Sequence, residues 1–168
     1  MKKIVSLVIC LYMMLSTVVF ANSQVVATPS SSELIVDKGS YVFDAYVINE
    51  NTYFKLRDIA WAFTFEYSGN WFDVTWDDSK KAINIVTKSQ YNSVGGEGEP
   101  SGNVGTTYAT KSTSQIYVDG QPVELEAYVI NQNTYFKLRD LGEVIDFAVD
   151  WDPVNNWILI STEFPYVN

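Results

Sequence analysis

The chain has no histidine, a single cysteine, and 11 basic residues against 20 acidic ones. Without imidazole there is no Ser/His/Asp or Cys/His nucleophile system, no histidine metal ligand and no histidine pH switch. The formal charge of −9 repels phosphate backbones and anionic lipid surfaces, so nucleic acid is not an expected partner. Other catalytic signatures are missing too. There is no Ser-x-x-Lys or Gly-x-Ser-x-Gly, no phosphate loop ending in Gly-Lys-Ser/Thr, and no EF-hand spacing. No cofactor or metal is expected.

What is present begins with a targeting signal. Lys2 and Lys3 precede an uncharged, largely apolar run from Ile4 to Phe20, followed by Val19-Phe20-Ala21 and again by Val25-Val26-Ala27. That layout predicts a secretory signal peptide within residues 1–27, cleaved after Ala21 or Ala27. The competing reading is an uncleaved anchor, since about 17 apolar residues is near the lower limit for crossing a bilayer. Cys10 follows Leu7-Val8-Ile9, which puts a bulky Ile where a lipoprotein signal has a small residue, so lipidation is not expected. Losing Lys2 and Lys3 would take the charge from −9 to −11 and remove the only cysteine, leaving nothing for a disulfide. No second apolar run is long enough to span a membrane. The expectation is an acidic exported protein, secreted or wall-associated.

An internal repeat dominates the remainder. The fourteen residues Ala45 to Asp58 recur as Ala127 to Asp140 and differ only at Glu50/Gln132. Upstream, Leu34, Val36 and Asp37 answer Ile116, Val118 and Asp119. Downstream, Phe72-Asp73-Val74-Thr75-Trp76-Asp77 answers Phe147-Ala148-Val149-Asp150-Trp151-Asp152. The registers differ by 82 and 75 positions, which places about seven extra residues near Tyr67–Trp71 of the first copy. Such an insertion is best tolerated in a surface loop. Residues 89–113 are rich in Gly, Ser, Thr and Asn and read as a flexible linker. The domain expectation is thus residues 28–88, a linker at 89–113, and residues 114–168. Units this small are marginal alone, which predicts that they pack on each other.

Each unit has a legible pattern. Short β-prone runs flank Asp37-Lys38-Gly39-Ser40 and Asp119-Gly120-Gln121-Pro122, and others flank Asn49-Glu50-Asn51, all reading as hairpins. Leu56, Ile59, Ala60 and Phe63 fall at helical spacing, matched by Leu138, Leu141, Gly142 and Ile145. A last hairpin closes each unit. The predicted fold is α+β, two tandem repeats each with a twisted antiparallel sheet packed on one short helix.

A unit running Val-Asp-Gly, Tyr-Val-Ile-Asn, Asn-Thr-Tyr-Phe-Lys-Leu-Arg-Asp, a helix, then Val-x-Trp-Asp and Ile-x-Ile resembles the copper amine oxidase N-terminal-like, or stalk, domain. It is most similar to the exported tandem forms of Gram-positive bacteria, whose linkers often carry a segment like Val94-Gly95-Gly96-Glu97. Where many members have Val-Pro-Leu-Arg, this chain has Phe54-Lys55-Leu56-Arg57 and Phe136-Lys137-Leu138-Arg139. The resemblance implies an extracytoplasmic accessory module without settled ligand. It implies no oxidase chemistry, because copper and quinone belong to a separate catalytic domain with histidine ligands.

Candidate site residues divide into two groups. Arg57 and Arg139 are possible carboxylate or sulfate clamps, set against a structural reading in which Leu56 and Leu138 anchor the helices, Asp58 and Asp140 favour their first turns, and arginine pairs locally. Asp73, Asp77, Asp78, Asp150 and Asp152 suit turns and solvated faces better than a calcium site or a glycosidase pair. Trp76 and Trp151, being equivalent, are expected to serve the fold. Trp61 aligns with Glu143, Trp71 sits in the insertion, and Trp157 and Leu159 replace Ala82 and Asn84. These four form the candidate binding surface, for sugar rings or another envelope protein, unless they are buried between the repeats. The functional expectation is a non-enzymatic binding or spacer module of the bacterial envelope. A polysaccharide-binding module is the alternative, and a carboxylate-only glycoside hydrolase a remote third.

Overall fold

A turn fixes the first hairpin. Asn49 and Glu50 have φ of 48° and 65°, and Asn131 and Gln132 have 47° and 67°. Two successive left-handed residues make the tight turn whose twist matches paired strands. It joins β4 (Ala45–Ile48) to β5 (Asn51–Lys55), and in the second repeat β11 (Ala127–Ile130) to β12 (Asn133–Lys137). The computed structural model describes residues 24–66, 69–100 and 105–167. The apolar leader with Cys10 and Ala21, and Tyr67 and Ser68 of the insertion, lie outside the described residues.

Each second strand runs directly into a helix, α1 (Leu56–Phe63) or α2 (Leu138–Ile145). The predicted stripes are the buried ones: Leu56, Ile59, Ala60 and Phe63 in α1, and Leu138, Leu141, Gly142 and Ile145 in α2. α2 stops at Asp146, whose φ of 70° is left-handed, a conformation that ends helices.

The remaining strands overturn the expected fold class. They are β1 (Gln24–Pro29), β2 (Glu33–Val36), β3 (Gly39–Tyr41), β6 (Phe72–Asp77), β7 (Ala82–Thr87), β8 (Thr107–Lys111), β9 (Gln115–Val118), β10 (Gln121–Val123), β13 (Ala148–Asp152) and β14 (Trp157–Ser161). The molecule is mostly β, 47% strand against 12% helix, and it is not a pair of α+β units each covering a helix with its own sheet. Six strands, β1-β4-β5-β12-β11-β8, close into one antiparallel barrel drawn equally from both repeats. The other two sheets are exchanged: β10-β9-β7-β6 and β13-β14-β2-β3 each join two strands of one repeat to two of the other. The joins β7–β9 and β14–β2 are parallel, so the sheets are not antiparallel throughout either. The physical reason is edge pairing. A hairpin of about 55 residues' context leaves open strand edges, and the second copy offers the same sequence to satisfy them.

Two cores result. The barrel interior holds Tyr46, Tyr53, Tyr128 and Tyr135 around Ala27, Ala109, Ile48 and Ile130. Tyr46 meets Tyr135 and Tyr53 meets Tyr128 edge to face, each pair at 5.3 Å between ring centres, and the Tyr53 hydroxyl donates to Glu126 at 2.6 Å. The larger core runs across both repeats beneath the helices. There Phe63 packs on Phe72 and on Phe147 at 5.5 and 5.1 Å.

The segment read as a flexible linker is built into the fold. Its end is barrel strand β8. Its beginning is held by Glu97, whose carboxylate accepts from the Tyr91 and Ser93 hydroxyls, both at 2.6 Å, and from the Val94 and Gly95 N–H groups at 3.0 and 2.9 Å. Gly95 and Gly96 have φ of 94° and 83°, which a side chain would resist; that accounts for the Val-Gly-Gly-Glu order. Asn92 further ties the loop to Asp73 through its backbone and side-chain N–H groups, at 3.1 and 3.0 Å.

Burial works against the Glu97 charge, yet the hydroxyl and N–H donors together bring its pKa down from 4.5 to about 2. A depressed carboxyl stabilises the folded loop above its ordinary pKa and loses that contribution as pH falls through the folded value. Hydrogen exchange of residues 91–98 is therefore expected to quicken as pH drops from 4.5 to 2, after correction for intrinsic rates. In Glu97→Gln the loop is expected to exchange rapidly already at pH 7; a loop equally protected in that variant would contradict the assignment.

Candidate functional site

Where the barrel rim meets each exchanged sheet, a cleft opens, and the duplication makes two of them. The first, about 440 Å³, is lined from repeat one by Ser30–Ser32 and by Glu50, Asn51 and Thr52 of the β4–β5 turn. From repeat two come Lys137, Leu138 and Arg139 at the β12–α2 junction, Val149, Asp150 and Trp151 of β13, and Ile158 of β14. The second, about 160 Å³, is its counterpart. Lys55, Leu56, Arg57, Val74, Thr75, Trp76 and Ile83 of repeat one face Gln132, Asn133 and Thr134 of repeat two. Neither cleft exists within a single repeat.

Local sequence explains how each group reaches its cleft. Trp151 lies opposite Ile158 and Trp76 opposite Ile83, so each tryptophan shares the sheet face of a core isoleucine but sits beyond the core. Trp76 and Trp151, expected to serve the fold, are 45% and 41% exposed. Glu50 and Gln132 occupy the second left-handed position of a turn where glycine is favoured. Both copies hold a long polar side chain there, at the cleft lip, despite the conformational cost.

The arginines are not the partners of the helix aspartates. It is lysine that pairs with the helix aspartates: Lys55 with Asp58 at 3.3 Å and Lys137 with Asp140 at 3.2 Å. Asp58 is buried, and that burial raises its pKa, partly offset by Lys55 and by the Gly98 N–H. Arg57 donates to the Tyr91 hydroxyl at 3.3 Å. Arg139 is exposed, and among the described residues it has neither an ion pair nor a hydrogen bond. Arg139 is therefore a guanidinium available to a ligand in the larger cleft.

The other sequence candidates are largely engaged in packing. Trp61 stacks edge-on with Tyr41, Phe43 and Phe65. Trp71 packs against the main core and donates to the Glu66 carbonyl at 2.9 Å. Trp157 donates to Glu33 at 3.0 Å on the outer face of the sheet, with half-buried Leu159 two residues along the same strand. Asp77 and Asp152 cap turns, accepting from Ser79 and Lys80 and from Val154 and Asn155 respectively, and these bonds lower both pKa values. Asp78 accepts from the Trp76 indole at 3.0 Å. Asp73 is held low by Asn92 and the Val74 N–H against the opposing effect of burial. Only Asp150, accepting from the Trp151 N–H at 2.7 Å, belongs to a cleft.

From sequence, Glu50 and Asn51 read as turn residues and Thr52 as the start of a strand, with no sign of a site. One signal was available: the sole difference in the duplicated fourteen residues is Glu50/Gln132, and it falls in the site. Asp150/Thr75 is a second such difference. No family model, curated protein or solved structure matches the chain. Among the described residues, no helix is long and apolar enough to cross a membrane.

Proposed function

We propose that the chain is a non-catalytic binding module of the bacterial envelope, exported by its N-terminal signal, and that the first cleft takes a wall polysaccharide. The carrying observation is the set assembled there from both repeats. An exposed indole stands beside an unpaired guanidinium, two carboxylates, an amide and several hydroxyls. Sugar rings present apolar C–H faces to aromatic rings and hydroxyls to such mixed donors and acceptors. The stalk-domain resemblance supports an accessory role of this kind. The interlaced sheets suit a spacer as well, and the two roles are compatible.

The test is sedimentation of the mature protein with purified cell walls and insoluble polysaccharides. Saturable binding is expected, weakened about tenfold or more in Trp151→Ala, as loss of roughly 1.4 kcal/mol of aromatic contact requires. Arg139→Gln is expected to weaken it as well, and Trp157→Ala to leave it unchanged. Circular dichroism checks that each variant is folded. Absence of binding to every wall fraction would remove the polysaccharide reading and leave the spacer; product release from soluble glycans would overturn the non-catalytic one.

A further inference from the structure

We propose that the second cleft is a latent site for an acidic glycan, one bearing sugar carboxylates, and that the loop Tyr91–Gly98 keeps it latent by engaging Arg57, its anion-binding group. The inference rests on the polysaccharide reading of the first cleft and extends it to a different ligand and to regulation.

Three observations carry it. First, the clefts are copies, yet their charges differ. Glu50 and Asp150 of the first become Gln132 and Thr75 in the second, so the second keeps both cations, Lys55 and Arg57, and has no carboxylate in its lining. Lys55 is paired with Asp58, so Arg57 is the cation the second cleft can offer, and a guanidinium beside an indole and an amide with no lining carboxylate favours anionic sugars over neutral ones.

Second, Arg57 is occupied where Arg139 is not. Its guanidinium donates to the Tyr91 hydroxyl at 3.3 Å, and that hydroxyl is fixed by donating to Glu97 at 2.6 Å. Tyr166, the position corresponding to Tyr91 after the second repeat, lies against Gly142 instead. Third, the loop is clamped onto α1 at its other end. The Gly98 N–H donates to buried Asp58 at 3.3 Å, and Gly98 approaches Trp61 so closely that an added Cβ would lie 2.6 Å from the ring.

A phenol is a neutral acceptor, and 3.3 Å is long for such a bond. A carboxylate approaching Arg57 offers a charge-assisted, bidentate contact about twice as strong. An acidic ligand therefore competes with Tyr91 and is opposed by the loop's remaining bonds. That opposition makes the site latent rather than open.

The chain has only two arginines, Arg57 and Arg139, so phenylglyoxal modification followed by peptide mass analysis reads each separately. In the wild type Arg139 is expected to react at least fivefold faster than Arg57. In Tyr91→Phe, and independently in Glu97→Gln, Arg57 is expected to approach the Arg139 rate. Oligogalacturonate, the acidic probe, is expected to bind these variants about tenfold more tightly than the wild type, and Tyr91→Phe/Arg57→Gln is expected to lose the gain. Equal reactivity of the two arginines in the wild type would overturn the clamp. Release of Arg57 without any gain in oligogalacturonate binding would overturn the site. Loss of wall binding in Trp151→Ala is read on the first cleft, so failure of the polysaccharide reading shows separately from either result.

Discussion

Produced separately, residues 22–103 and 104–168 are each expected to lack stable structure and to regain it when mixed in equal amounts. Repeat one alone leaves one edge of β2 and one edge of β7 unpaired, because their parallel neighbours β14 and β9 belong to the other repeat. Its three barrel strands cannot close, because β1 pairs with β8 and β5 with β12 across the repeat boundary. The main core fails with them. Phe63 of α1 would lose Phe147, and Leu34, Val36, Ile158 and Ile160, buried in the shared sheet, would be divided between two chains. Folding stability is only about 5–15 kcal/mol for an ordinary domain, and truncating a single buried phenylalanine removes roughly 3–5 kcal/mol. Halving the core exceeds the total. Far-ultraviolet circular dichroism and sedimentation velocity measure the outcome. The expected product of mixing is a one-to-one complex with a cooperative melt. A half that unfolds cooperatively as a monomer would contradict the interlaced topology.

The second large effect concerns the N-terminus. A chain beginning at Asn22 retains all of β1, whereas one beginning at Thr28 loses Gln24–Ala27 and their pairing with Thr110–Thr107 of β8. Ala27 is fully buried in the barrel, and without its strand the barrel has an open edge. Four residue pairs at about 1 kcal/mol per hydrogen bond, with the lost apolar burial, come to roughly 3–5 kcal/mol. For a chain of this size that is a fall in Tm of about 10–15 °C. Mass spectrometry of the mature chain is expected to find Asn22 as its first residue, and thermal melts of the two forms are expected to differ by that interval. Equal melting temperatures would mean that β1 contributes little to the barrel.

The helices and their buried stripes were legible in the sequence, as were the hairpin turns and the duplication, because each depends on neighbours a few residues away. β1 and β8 were not legible. One lies in the second signal-cleavage motif and the other at the end of a Gly/Ser/Thr-rich stretch, so composition hid both. The alignment of Val26-Ala27-Thr28 with Tyr108-Ala109-Thr110 marks them, and Ser30 and Ser112 then make the same hydrogen bond two residues on, to the N–H of Ser32 and Ser114. Strand exchange could not be read at all. Either copy of a duplicated strand satisfies the same edge, and the choice is made by packing across the molecule. The fold-class error follows from that, since helices and strands identified one unit at a time imply one sheet per unit.

The site was half visible. Arg139 and Trp151 stand out in the sequence, but identity between the repeats points to a fold requirement. Duplication preserves a surface residue as readily as a core one. What separates them is that Trp151 extends past the end of the core on a face that is buried farther along the strand. The linker's effect on Arg57 was beyond local pattern, because Tyr91 lies 34 residues away in sequence.

The parallel join between β2 and β14 carries a mechanical consequence. These strands run side by side in the same direction, Glu33 beside Trp157 and Val36 beside Ile160. Tension applied between the start of the chain and its tail has to free β1 from β4 and β8 and the tail from Asp37, Ala148 and Asp146. It then draws β2 backward and β14 forward along their common axis, which loads every bond between them together instead of in succession. The weak event comes first and the resistant one second, so the molecule yields a short length of slack before it holds.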